Sequence, residues 1–276
     1  MMKYIEMSAL MVFAVFLASP LNAADYYTFG VVPQQPPQKL ARLWIPVIKK
    51  LENETGLKIR FQTAPSISLF EHRLAVGRYD FAYVNPYHYV TFQKKVGYQV
   101  FAKEAGRKLR GIIVAKKGMN IKWQSRQQLA LPAPAAFGAS LLTQSMLKKK
   151  GLGYEPEYLG SHDSVYIAVA QGLYPFGGGV PRTLENMPPA IKEQLVVVHN
   201  TAGYTPHAFI AHRRVPKKDI TAIYNNLAAL NNSEEGRNIL EKLSFDRGIT
   251  AATDGEYKAV RKLNIRALEH ISQNEL

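Results

Sequence analysis

The chain has no cysteine in 276 residues. That excludes disulfides, a lipid tether on an N-terminal lipobox cysteine, and a thiol nucleophile. It also has no long polar, low-complexity or heptad segment and no internal repeat, which argues against disordered, fibrous and solenoid architectures. Beyond residue 24 no apolar run reads as a membrane span. Acid is scarce relative to base: 35 Lys and Arg stand against 21 Asp and Glu, a formal net charge of +14. With 47% of residues hydrophobic, there is material for two modest cores or one large one.

What is present first is an address. Lys3 supplies a positive n-region, Ser8 to Ala18 an apolar run of signal length, and Ala23 a small residue at a cleavage point, with Ala24 the neighbouring choice. The run is too short to span a bilayer comfortably. The expectation is a cleavable secretory signal peptide over residues 1–23 and a soluble mature protein in a periplasm, held together by its cores. Lys3 and Glu6 cancel, so the mature chain keeps the excess of base. A basic surface favours anionic partners. An exported address argues against nucleic acid, as does the absence of RNP, zinc-finger and helix-turn-helix patterns. A small anion or an anionic membrane surface fits better; plain solubility is the bland alternative.

Along the chain, strands and helices alternate. Tyr27 to Val32 is an apolar run closed by Pro33. Leu40, Leu43, Trp44, Val47, Ile48 and Leu51 then fall on one helix face, with Gly56 as its stop and Pro46 predicting a kink or restart. Leu57 to Gln62 reads as a second strand, and Ser68-x-x-Glu71 as a capping box opening a short helix. Val100 to Lys103 is another strand. This order implies a mostly parallel, helix-covered sheet. Between Lys103 and Arg126 lie eight Lys or Arg and one acid, Glu104, with the apolar strand Gly111–Ala115 embedded. A second α/β unit follows: a strand near Gln127–Leu131, a helix from Gly138 to Lys150, a helix capped by Ser161, a loop over Tyr174–Gly179, and a strand from Gln194 to His199. His207 to His212 is a further apolar strand, and the tail from Lys217 reads as mostly helical. Two α/β units separated by two apolar strands suggest two lobes joined by crossings at Leu109–Ala115 and His207–His212. The expected division is lobe 1 over 25–108 and 208–276, and lobe 2 over 109–207.

The stretch from Tyr79 to Tyr89 organises the rest. Asp80 to Val84 reads as a strand running into Asn85-Pro86, a good N-cap followed by the residue favoured at the first helical position. Open α/β folds bind ligands outside the carboxyl ends of their strands, on helix N-termini. Free backbone N–H groups and aromatic rings are therefore expected at this helix start. An ordinary strand–helix turn with Tyr83, Tyr87 and Tyr89 packed as core is the alternative.

The chain resembles the phosphate/phosphite/phosphonate ABC-transporter substrate-binding proteins (PhnD-like), which are type II periplasmic binding proteins. The resemblance covers nearly the whole mature chain. It rests on FGVVPQQ followed by a helix with Trp44 and Pro46, on TAP at 63–65 and on GRYDFAYVNP at 77–86. It continues through FAKE at 101–104, GIIVAKK at 111–117, SHDSVYIAVAQG at 161–172 and GYTPHAF at 203–209. The resemblance implies a two-lobed α/β protein, each lobe a mostly parallel sheet covered by helices, that closes on one small anion and delivers it to an ABC permease. A sensor that presents its closed form to a membrane histidine kinase keeps the same fold. On this reading the ligand-binding candidates are Gln34, Tyr83, Asn85, Tyr87, His88, Ser140, His162, Asp163, Tyr166, Thr205 and His207. The protein would act as a monomer without a cofactor.

The chain departs from the family pattern at the ligand. Where phosphonate binders of the family offer a Ser-Thr-Ser-Gly run, this chain has Ala135-Ala136-Phe137-Gly138, and Ser140 is the nearest remaining hydroxyl. A family tyrosine after Ala-Pro-x is Ile67 here, and a second falls near Val84, flanked by Tyr83 and Tyr87. The acid after His survives as Asp163, while a later one falls within Gly177–Gly179. His88, His162 and His207 do not sit at metal-ligand spacing, so no metal site is expected. The absence of G-x-S-x-G and of a base with its orienter argues against an enzyme. Gly177–Gly179 lacks the Lys-Ser/Thr of a phosphate loop.

Overall fold

The computed structural model describes residues 26–119, 123, 126–268 and 271. The expected signal peptide, residues 1–23, lies outside the described residues. Among the described residues the chain forms eleven strands: β1 Tyr27–Val31, β2 Ile59–Gln62, β3 Phe81–Val84, β4 Tyr98–Glu104, β5 Ile112–Lys116, β6 Gln127–Leu131, β7 Tyr154–Tyr158, β8 Phe176–Gly179, β9 Leu195–Asn200, β10 Ala208–His212 and β11 Ile249–Ala251. They make two sheets, ordered β11-β4-β10-β3-β1-β2 and β7-β6-β8-β5-β9. Both sheets are mixed rather than mostly parallel. β1 pairs in parallel with β2 and β3, and β6 with β7 and β8. β10 and β5 run antiparallel to their neighbours. The reason is connectivity: one strand enters each sheet from the other, so it arrives reversed.

Helix α1 (Pro37–Thr55) buries Leu40, Trp44, Val47, Ile48 and Leu51, the stripe that the spacing predicts. Gly56 ends it in the left-handed region at φ 69°, where glycine carries no Cβ penalty. The helix runs through Pro46 as one element, so the predicted restart does not occur. Its Trp44 meets Tyr83 at 4.9 Å between ring centroids, and Tyr83 meets Phe209 at the same distance. Phe29 and Phe245 close this aromatic core. Each large side chain so buried stabilises the fold by about 1.5–3 kcal/mol.

Several sequence expectations change. Of the crossings expected at Leu109–Ala115 and His207–His212, Leu109 does lie in a connection, but Ile112–Lys116 and Ala208–His212 are strands inside the sheets and almost wholly buried. Apolar strands gain most in a sheet interior, whereas the true connections carry the charged residues Arg107, Lys108 and Arg110. Those connections are tied together where Leu109 and Tyr204 exchange backbone hydrogen bonds of 2.8 and 2.9 Å. Gly177–Gly179 is not a loop but most of β8, between β6 and β5. A Cβ on Gly178 would lie 2.2 Å from the Ala139 carbonyl oxygen, and one on Gly179 2.1 Å from the Tyr166 hydroxyl. The missing side chains let neighbouring elements lie directly on the strand. Helix α2 (Ile67–Ala75) is capped by Ser66, whose hydroxyl accepts from the Leu69 N–H, so Ser68 and Glu71 form no capping box. The edge strand β7, with Pro156 inside it, and β11 in the mostly helical tail go unseen in the sequence.

Candidate functional site

The topology sets two edges against each other. β1 and β3 run in parallel, so Gln34 and Asn85 follow them on one edge. β10 runs the other way, with Ala208 paired to Val84, so His207 precedes it on that same edge. Across the gap, the segment after β6 brings Ala136 to Ala139, and the segment after β7 brings His162. These residues, with Val32 and Ile67, line a narrow cavity between the sheets.

The first wall is built on helix α3 (Pro86–Val96). Pro86 has no N–H, and the Asn85 side-chain oxygen accepts from the His88 N–H at 2.8 Å. Of the backbone donors expected here, Pro86 offers none and the cap takes that of His88. Facing the cavity is the Asn85 amide, whose Nδ2 lies 3.4 Å from the Ala135 carbonyl oxygen on the other wall. His88 is fully buried beneath it, with Nε2 2.8 Å from Glu71 Oε1 and 3.1 Å from Asn85 Nδ2. Its place is under the wall, where it holds Asn85.

The second wall is a wide, π-wound turn, Phe137–Leu142, leading into helix α4 (Thr143–Lys149). No side chain caps it. Ser140 and Leu141 both donate to the Ala136 carbonyl oxygen, at 2.8 and 3.2 Å. Among the described residues, the N–H groups of Phe137, Gly138 and Ala139 have no acceptor. The missing hydroxyls of the family pattern thus leave three backbone donors at the cavity wall. Helix starts orient such donors toward anions.

Two histidines complete the cavity. His162 opens helix α5 (His162–Ala170), and its N–H donates across the gap to the Gln34 carbonyl oxygen at 3.2 Å. Its ring Nδ1 lies 3.2 Å from Thr183 Oγ1, and burial pushes its pKa down to about 3. His207 stacks on Tyr83 at 5.1 Å, and its Nε2 is buried without a partner. Burial, then the nearby Arg182 charge, hold its pKa well below the usual value. Both rings are neutral at pH 7, and no Lys or Arg lines this cavity. The site offers hydrogen bonds rather than charge.

The remaining candidates sit elsewhere. Tyr83 lies behind His207, its hydroxyl accepting from Arg182 Nη1 at 2.8 Å. The Tyr87 hydroxyl donates to the Ile265 carbonyl oxygen at 3.2 Å and accepts from the Leu268 N–H at 3.0 Å, turned toward the C-terminal segment. Tyr166 is core, bonded to Val180 and Thr183. Ser140 is wholly buried behind the wall, its hydroxyl unpartnered. Thr205 donates to the Glu256 carbonyl oxygen at 2.6 Å. Asp163 meets Lys39 Nζ at 3.2 Å, an ion pair between the two walls. Sequence reasoning missed Lys39, and it missed Arg182, which joins the walls through Tyr83 and the buried carboxylate of Glu104. The only sequence signal was Arg182 directly after Pro181, at a helix start beside a buried strand. Among the described residues no group of three His, Cys, Asp or Glu side chains is placed to share a metal ion.

Comparison with known proteins agrees with this architecture. The model of a family described as ABC transporter, phosphonate, periplasmic substrate-binding protein matches residues 29–257. A binding protein component of an ABC phosphonate transporter from Pseudomonas aeruginosa superposes with a TM-score of 0.79 at 15% identity, covering 88% of this chain and 86% of that one. A PhnD protein of Prochlorococcus marinus, solved with methylphosphonate, gives 0.77 at 15% identity, covering 87% and 98%. A protein of Xanthomonas citri bound to ATP gives 0.64 at 14%, covering 90% and 98%. At such identities the structural likeness speaks for the fold.

Proposed function

Since the chain belongs to the family of periplasmic, phosphonate-binding substrate-binding proteins of ABC transporters, we propose that it captures one small phosphorus oxyanion in the cavity between its sheets. Membership makes it a periplasmic transport component that serves an ABC permease. The finer reading is ours: residues 1–23 are removed on export, and the mature chain binds as a monomer. The ligand is held by the N–H groups of Phe137, Gly138 and Ala139, the Asn85 amide, Gln34 and the two neutral histidines.

The observation that carries this reading is the convergence of donors from both sheets on one cavity. An oxyanion there would accept from both walls at once, and only while they are close. Binding and closure are then one equilibrium: a ligand that contacts both walls shifts the population toward the closed form.

A thermal-shift screen of residues 25–276 tests it. The panel holds phosphate, phosphite, methylphosphonate, aminoethylphosphonate, sulfate and small carboxylates. A ligand at a hundredfold excess over its Kd adds about 2.7 kcal/mol to stability, which such a screen resolves. A shift with a phosphorus oxyanion, lost in Asn85→Ala, supports the reading. No shift with any phosphorus compound overturns it.

A further inference from the structure

A second cavity shares Gln34 and His207 with the first and lies against the two connections between the sheets. Its character is the opposite. Four cations line it, Arg107, Lys108, Arg110 and Arg182, against one carboxylate, Glu104. Glu104 is buried and pairs with Arg182, with Arg107 at 3.8 Å. Arg107 also reaches Glu185 at 3.2 Å and Asp246 at 3.8 Å. Arg110 donates to the Thr201 carbonyl oxygen at 3.2 Å and meets no described carboxylate. The Lys108 ammonium pairs with no described residue. Two buried polar atoms here also lack partners: Arg182 Nε and, at the boundary of the two cavities, Nε2 of the 2% exposed His207.

We propose that this hinge cavity is a second anion subsite, and that the ligand carries two acidic groups. The phosphorus oxyanion sits among the neutral donors of the first cavity, and a second acid, such as a carboxylate on a short carbon chain, enters the basic one. This rests on the reading that the first cavity takes a phosphorus oxyanion. The physical argument is one of complementarity. Buried polar groups are paired in native structures, so unpartnered nitrogens aimed at a cavity call for an acceptor. Cations without carboxylates make that acceptor an anion. An ammonium substituent would meet the Lys108 and Arg110 charges, neither of them paired with a described carboxylate, and be disfavoured by repulsion.

Isothermal titration of the protein purified from the periplasm tests this, with methylphosphonate, aminoethylphosphonate, phosphonoacetate and succinate as probes. Phosphonoacetate is expected to bind at least tenfold more tightly than methylphosphonate, and aminoethylphosphonate more weakly than either. In Lys108→Gln and in Arg110→Gln the ratio of the methylphosphonate Kd to the phosphonoacetate Kd should fall from tenfold or more toward one. Equal affinity for the three phosphonates, or preference for the aminated one, overturns the second subsite and leaves the first reading standing. Succinate binding that weakens in Lys108→Gln, with no response to any phosphonate, keeps the basic subsite and sinks the phosphorus reading. Silence with all four probes overturns both.

Discussion

The two walls of the first cavity both present uncharged donors, and they do so by opposite means. On the first wall a side chain caps the helix: Asn85 takes the His88 N–H, and its own amide faces the cavity. On the second wall nothing caps the helix, and the backbone N–H groups of Phe137 to Ala139 remain open. One wall is a buried polar network, Glu71–His88–Asn85; the other is a close-packed stack of glycines and alanines against β8. A site whose donors are side chains is tuned by substitution of those residues. A site whose donors are backbone is tuned by whatever lets the backbone approach.

That difference is breakable. The largest effect is expected on the second wall. Gly178→Ala places a Cβ against the Ala139 carbonyl oxygen, which is backbone and cannot swing aside. The cost should be about 3 kcal/mol, the upper end for overpacking, read as a lowered urea midpoint. An unchanged midpoint would show that the stack is looser than its geometry implies.

Next comes acid. The His162 pKa is about 3 in the fold against an ordinary value near 6.5, so below pH 6.5 the unfolded chain takes a proton that the native one refuses. Its contribution is complete above that pH and is lost as pH falls toward 3, at about 1.4 kcal/mol per pH unit. Urea midpoints at pH 7.5 and 5 should fall further in the wild type than in His162→Asn. Equal losses would move the acid sensitivity to other groups.

The first wall should respond more gently in stability and more sharply in binding. Asn85→Ala removes a cap worth about 1 kcal/mol and also removes a cavity donor. Its melting temperature should drop slightly while oxyanion affinity falls at least tenfold; a drop in stability alone would make Asn85 purely structural. Smallest is Lys39→Met, which breaks the partly exposed Lys39–Asp163 pair between the walls. Its effect on stability should stay within about 1 kcal/mol. Its visible consequence should be a larger radius of gyration in ligand-free scattering; an unchanged radius would show that the pair does not hold the walls together.

Much of this was legible in the sequence because the signals are local. The α1 stripe needs only the helical period. The Asn85-Pro86 start needs only capping preferences, and the structure places Asn85 where the sequence put it. The same cap takes the His88 N–H, one of the backbone donors that the helix start would otherwise offer. Ala135-Ala136-Phe137-Gly138 read as a loss of hydroxyls, yet its open backbone donors are the ones a cap would have used. Gly177–Gly179 read as a loop because glycine is a local loop signal. Its strand is imposed by β6 and β5 on either side and by Tyr166 above it.

By itself the sequence determined the alternation of strands and helices, the excess of base and the family pattern. Each is carried by neighbours along the chain or by composition. The tertiary structure alone decided which strands lie inside the sheets, which helix start keeps its donors, and where the charge lies. Arg182 reaches Glu104 across 78 residues and Lys39 reaches Asp163 across 124. No period or cap encodes pairs at that separation. They exist because two sheets, each folded around its own apolar strands, bring their edges together.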